Sequence, residues 1–470
     1  MARDQTWLTK LKAQISHKLI NPTATKLTPK SSSKSTRVRV LAFEIAGLLS
    51  KLLALHHSLS DAAIFFLKND VVSGLDGVRK LVSTDDTFLL TLAAAEMLHT
   101  LRVISAATST LSRRCSDAAL RSFPDCLNHF ADSGRDIHGW AATASPKDLD
   151  PLLRRVDRLI AATSALYREM EELALLENSL KKISPGRDDK VLDVQRKIFW
   201  QKQEVKHVKD KSLWTKTFDS AVLLLARLIF TVLARIKLVF GIGHTTVVVL
   251  TRSLSTSATV FPASSDLTGN PNHLFVSGPL TRPDPTKGRP PGPGFFESKT
   301  KALKPGANTL GAAALALHYA NLIIVLEKMI KAPHLVGLDA REEVYSMLPN
   351  SIRSALRARL KGVGFSATDP VLAGEWRDAL SRILAWLAPL AHNMIKWQSE
   401  RSFEHHNLMP KSNNVFLLQT LYFANKEKTE AAITELLVGL NYIWRFEREM
   451  NARALFECSN NFFSKKKFQT

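Results

Sequence analysis

The sequence predicts an all-α protein: two helical halves with coiled-coil-like hairpins, joined by a Pro/Gly-rich flexible linker. Three observations carry this. Apolar residues recur three and four positions apart in long runs, as one buried face of a helix requires. No strand-like alternation persists anywhere. Nine Pro and six Gly fall between Thr256 and Gly306, a density that sustains neither helix nor central strand.

At 470 residues, with 45% hydrophobic and 23% charged residues, the chain has the balance of a folded protein and the length of two or three domains. Its three cysteines, Cys115, Cys126 and Cys458, show no CxxC spacing. That argues against a disulfide framework or a structural zinc site, and for an intracellular protein. The net charge of +21 fits a nucleic-acid partner, an anionic membrane, or basic appendages on a nearly neutral core.

The order of elements separates these readings. Residues 1–37 form a basic arm: the first 40 residues hold nine Lys/Arg against one acid, Asp4. Within it Trp7, Leu8, Leu11 and Ile15 share one side of a helix, a candidate membrane or partner face. The arm has no apolar signal-peptide core, its acid-poor, Ser-rich sequel also fits an organelle transit peptide, and Ala2 stands where N-myristoylation needs glycine.

A helical domain is predicted over 38–135. Leu41, Ile45, Leu48, Leu49, Leu52 and Leu53 recur at helical spacing, and Ser60-Asp61, Ser83 to Asp86 and Ser116-Asp117 offer N-caps for the helices that follow. Residues 146–255 read as a long hairpin and an apolar helix. Leu152, Val156, Leu159, Thr163, Leu166, Met170 and Leu173 form a seam, Ser184-Pro185-Gly186 breaks it, and a charged return arm runs from Asp188 to Ser212. Ala221 to Phe240 is long enough to test as a membrane span, but Arg227 and Arg235 inside it favour a buried helix, so no transmembrane segment is expected. After the linker, 256–306, come a second helical domain, 307–395, and C-terminal helices with a basic tail, 396–470. A helix is expected from Asn308-Thr309 to about Lys331.

No motif for catalysis stands out: there is no GxxxxGK[ST], HExxH, GxSxG or kinase set. No catalytic residue, cofactor or metal is therefore expected. Glu404-His405-His406 is the most ligand-like cluster but lacks a third ligand at helical spacing. Glu44 and Glu96 lie amid apolar residues, which predicts ion pairs with Arg79, Lys80 or Arg102 that fix helix register. His318 and Asn321, on an apolar helix, are expected to join an interhelical hydrogen-bond network. Neither the return arm nor the terminal lysines match a nucleic-acid-binding module, so sequence-specific nucleic-acid binding is not expected.

Two blocks of sequence are distinctive. One is Val40 to Ala46 with Leu59-Ser60-Asp61, Gly77 to Ser83 and Arg113 to Asp117; the other is Asn308 to Asn321 with Leu335 to Arg341 and Tyr345 to Pro349. Together they resemble the plant phytosulfokine-simulator-like family, whose two modules are domains of unknown function 3475 and 668. The resemblance implies a plant protein that promotes growth in peptide-hormone signalling, with nuclear residence; together with the helical seams and the missing catalytic motif it leads to the expectation of a non-enzymatic regulatory or scaffold protein with protein partners on its helix faces. The alternative is a peripheral membrane adaptor, at the cytoplasmic or plasma-membrane periphery, that makes weak anionic-membrane contact through the basic N-terminal helix.

Overall fold

The computed structural model describes residues 37–141, 146–182, 188–242, 294–361, 367–403 and 415–467. Trp7, Leu8, Leu11 and Ile15, the Glu404-His405-His406 cluster and most of the Pro/Gly-rich segment lie outside them.

Among the described residues there are fifteen α-helices and no β-sheet. Those before the Pro/Gly-rich segment are α1 (Leu41–His57), α2 (Asp61–Phe66), α3 (Asp76–Leu81), α4 (Asp86–Ser112), α5 (Ala118–Arg121), α6 (Phe123–Ser133), α7 (Pro146–Lys182), α8 (Asp188–Lys211) and α9 (Phe218–Phe240). After it come α10 (Phe295–Thr300), α11 (Ala316–Lys331), α12 (Leu338–Met347), α13 (Asn350–Leu360), α14 (Pro370–Phe403) and α15 (Lys426–Lys467). The N-caps are those expected: Ser60, Asp85 and Asp117 each accept from a backbone N–H in the first turn of α2, α4 and α5.

Two apolar clusters hold the helices together, and they do not follow the order of the chain. The first joins α1, the C-terminal part of α4, α5, α6, the start of α7 and α9. The second joins Leu67 to Ala93 with α11 to α15, so part of the N-terminal half is built into the core of the C-terminal half. Helix α4 crosses from one to the other: Leu89, Leu92 and Ala93 lie in the second cluster, Met97, Leu98, Leu101 and Ile104 in the first. By length and composition α4 could cross a membrane, yet half of its most apolar window is buried in the protein. Helix α9 buries most of its apolar residues in the first cluster, from Phe218 to Ile236, and leaves Leu223 and Leu238 exposed.

Two boundaries differ from expectation for physical reasons. Helix α11 starts at Ala316, not Asn308. Upstream of it, the N–H groups of Leu310 and Gly311 donate to the carbonyls of Ala424 and Tyr422 at 2.9 and 2.8 Å, so this apolar stretch finds its hydrogen bonds outside a helix. A Cβ on Gly311 would lie 2.6 Å from the Tyr422 carbonyl oxygen, which is why glycine stands there. The end of the expected linker is ordered: α10 and the turn Lys301–Leu303 pack on α4, with Phe295 and Phe296 against the first cluster.

Candidate interaction surface

Helices α7 and α8 form the expected hairpin, and its burial fades along its length. Leu152, Val156, Leu159, Thr163 and Leu166 are buried, whereas Met170 and Leu173, and Leu176 and Leu180 beyond them, are only half-buried. Thr163 anchors the base by accepting from the N–H of Leu213 at 3.2 Å. Toward the other end the arms are clamped to each other. Gln201 Nε2 donates to the Glu169 carbonyl and to its carboxylate at 3.1 and 2.7 Å, and Lys202 pairs with Glu177 at 3.1 Å.

This clamp fixes which way α8 faces. Val194, Ile198, Gln201 and Val205, three and four apart, turn toward α7. Phe199 and Trp200, next to Ile198, are therefore rotated outward; they are 57% and 66% exposed, with rings 5.8 Å apart edge to face. Leu192, Arg196, Lys206 and His207 are exposed on the same side of α8, and Leu175 is exposed on α7. Large aromatics beside an arginine are the composition of an interface core rather than of ordinary solvated surface.

The polar groups singled out from the sequence are placed differently. Glu44 is exposed, so its expected burial among apolar residues is corrected: it occupies the outward side of α1. Glu96 is half-buried, and its carboxylate accepts from the N–H of Leu417 at 2.7 Å and from Trp397 Nε1 at 3.4 Å. Of the expected cationic partners, Arg79 pairs instead with Asp86 at 2.7 Å and Lys80 with Asp76 at 3.4 Å. His318 Nε2 hydrogen-bonds the Met347 carbonyl at 2.9 Å, linking α11 to α12. Asn321 is exposed and drops out of the network.

A second network, from α11 to α13 and α15, runs through the neighbour of His318. Tyr319, fully buried, donates from its hydroxyl to Glu430 at 2.6 Å, and Ser351 donates to the same carboxylate oxygen at 3.0 Å. The signal was in the register: Tyr319, Leu322, Ile323 and Leu326 form the buried stripe, which places His318 on its flank and Asn321 outside it. On the same helix Glu327 bonds Lys331 and His392 at 2.8 and 2.6 Å. Burial alone would raise its carboxyl, but these bonds outweigh burial and hold it below the ordinary value. Lys237 is buried at the end of α9, where its ammonium donates to the carbonyls of Phe130 and Ala131 at 3.1 and 2.5 Å and so caps α6.

These groups hold helices in register, and they do not converge on a reaction centre. No three His, Cys, Asp or Glu come together to hold a metal among the described residues. Burial, followed by the charge of Asp219, pushes the Cys115 thiol up to about 12, which leaves it unreactive at neutral pH. Two surface cavities of about 450 and 280 Å³ flank α10 where it crosses α4, with walls that include Thr91, Ala94 and Leu98 in the larger and Ser105, Ser109 and Phe295 in the smaller.

Two family models match the chain: a domain of unknown function (DUF3475) over residues 40–97 and a protein of unknown function (DUF668) over residues 309–396. The first runs from α1 into the middle of α4; the second from the turn before α11 to near the end of α14. No solved structure matches. Among curated proteins the chain is similar to three from Arabidopsis thaliana. It is 26% identical to Protein PSK SIMULATOR 1 over 87% of this chain and 56% of the relative. The figures are 25%, 92% and 63% for PSK SIMULATOR 2, and 25%, 88% and 57% for PSK SIMULATOR 3. The chain thus spans less than two thirds of the length of each. It is a homologue of the PSK SIMULATOR proteins, with a DUF3475 region and a DUF668 region locked together through α4.

Proposed function

We propose that the protein is a non-enzymatic adaptor in phytosulfokine-related regulation of plant growth, acting in the nucleus by recruiting protein partners to the outward face of the α7–α8 hairpin. The regulatory role follows from the likeness to the PSK SIMULATOR proteins. The adaptor role rests on one observation: Phe199 and Trp200 stand more than half exposed on a helix whose other side is clamped to its hairpin partner. Aromatic side chains have few rotatable bonds and lose little freedom on binding, which makes them effective anchors.

The test uses the full chain and a Phe199→Ser/Trp200→Ser variant, each returned to plants lacking the gene. The variant is expected to melt as the wild type does, to lose the partners co-purified with it, and to fail to restore growth. An unchanged partner set and full growth rescue would overturn the reading. The membrane alternative rests on the spacing of Trp7, Leu8, Leu11 and Ile15 in the basic arm. Sedimentation with anionic liposomes, comparing the full chain with one that begins at Val38, separates the two.

A further inference from the structure

Tyr345 lies near the C-terminal end of α12 and is 39% exposed. Two arginines of α13 converge on it. Arg357 donates from both Nε and Nη2 to the phenol oxygen, at 3.1 and 2.7 Å. Arg353, one turn earlier, holds its guanidinium over the ring, 5.3 Å from the centroid, and donates to the carbonyls of Tyr345 and Ser346 at 3.2 and 2.6 Å. Neither arginine has a carboxylate partner among the described residues, whereas Arg359 of the same helix pairs with Glu435 at 2.7 Å.

A guanidinium fork matches the paired oxygens of a carboxylate or a phosphate. Here both N–H groups of the fork are directed at one neutral phenol oxygen. That leaves one guanidinium on the atom on which a phosphate monoester would be built and a second over its ring, neither paired with a carboxylate among the described residues. We propose that Tyr345 is a phosphorylation site whose phosphate is captured in cis by Arg357 and Arg353.

The phosphoryl donor is a nucleoside triphosphate carried by a partner protein kinase. The Tyr345 oxygen attacks the γ-phosphorus, the new O–P bond forms as the bond to the nucleoside diphosphate breaks, and the phenolic proton passes to the kinase's base. The product carries about −1.5 to −2 charges at pH 7 and three acceptor oxygens, which the two arginines can share. Captured in this way, it ties the end of α12 to α13. Glu342, one turn back on α12, is exposed, so solvent screens its repulsion. Capture in cis is favoured over a phosphate brought by another molecule because the phenol oxygen already fills the fork.

The capture is tested on the full chain with phosphotyrosine installed at position 345, by ³¹P NMR titration. The second ionisation of the phosphate is expected about one unit below that of the same residue in an Arg353→Gln/Arg357→Gln variant. Arg357→Lys, which keeps the charge and loses the fork, is expected to fall between them and serves if the double variant does not fold. Equal titration in all three would overturn the capture. The modification is tested by mass spectrometry of the chain isolated from its own tissue with phosphatases inhibited. Phosphate on the peptide containing Tyr345 is expected; a peptide recovered only unmodified would overturn the assignment. Saturable binding of phenyl phosphate by the unmodified chain, lost in the double variant, would also overturn it, in favour of a ligand-borne phosphate.

Discussion

The carboxylate of Glu96 accepts a hydrogen bond of 2.7 Å from the backbone N–H of Leu417, although 321 residues separate the two in sequence. The bond sits where α4 passes from one apolar cluster to the other. Glu96 therefore reads the position of the segment before α15 and fixes it against α4.

Glu96→Ala is expected to lower stability by about 1–3 kcal/mol, because it removes the acceptor from the buried Leu417 N–H and from Trp397 Nε1. Glu96→Gln keeps a carbonyl oxygen that can accept from Leu417, and should recover more than half of that loss. Denaturant unfolding of the two variants gives the comparison; equal losses would show that the charge, not the acceptor, matters.

Gly77 makes another close contact between the halves. A Cβ there would lie 2.2 Å from the Trp386 carbonyl oxygen and 2.5 Å from a Leu390 methyl. The carbonyl belongs to the backbone of α14 and cannot swing aside. Gly77→Ala is expected to push α3 off α14 and to cost about 1–3 kcal/mol, despite alanine's better helix propensity. A melting temperature at or above that of the wild type would contradict this packing.

How much of this was legible in the sequence depends on whether the information is local. The helices, their caps and the hairpin follow from spacing and from residues such as Ser60, Asp85 and Asp117, whose capping bonds are made within three positions. What was not legible is long-range. The partner of Glu96 is a backbone N–H hundreds of residues away, and the apolar stretch at Leu310 is kept out of a helix by carbonyls at 422 and 424. The outward turn of Phe199 and Trp200 was present in the register of α8, where Val194, Ile198, Gln201 and Val205 mark the inner side. It became meaningful only once α7 was seen to cover that side alone.

Glu44 illustrates the opposite error. Apolar neighbours on both sides suggest burial, but α1 turns Ala42, Ile45, Ala46 and Leu49 inward and leaves Glu44 in solvent. Glu44→Gln is accordingly expected to change stability by less than about 0.5 kcal/mol, the usual range for surface substitutions. Calorimetry decides this directly, since a buried ion pair broken at one partner would cost several times more.

His56 gives the fold a dependence on pH. Its Nδ1 is buried at the end of α1 with no hydrogen-bond partner among the described residues. Burial lowers its pKa below the ordinary 6.5, with the charges of His57 and Arg235 adding to the effect and Asp150 opposing it. The unfolded chain therefore binds a proton in an interval below 6.5 where the folded chain does not, and the folded state loses stability as pH falls through that interval. His56→Leu removes this proton from both states. The gap between wild type and variant, followed by urea unfolding from about pH 7 to about pH 5, is expected to move in favour of the variant on acidification. A gap that stays constant would mean that the imidazole titrates alike in the folded and unfolded chain.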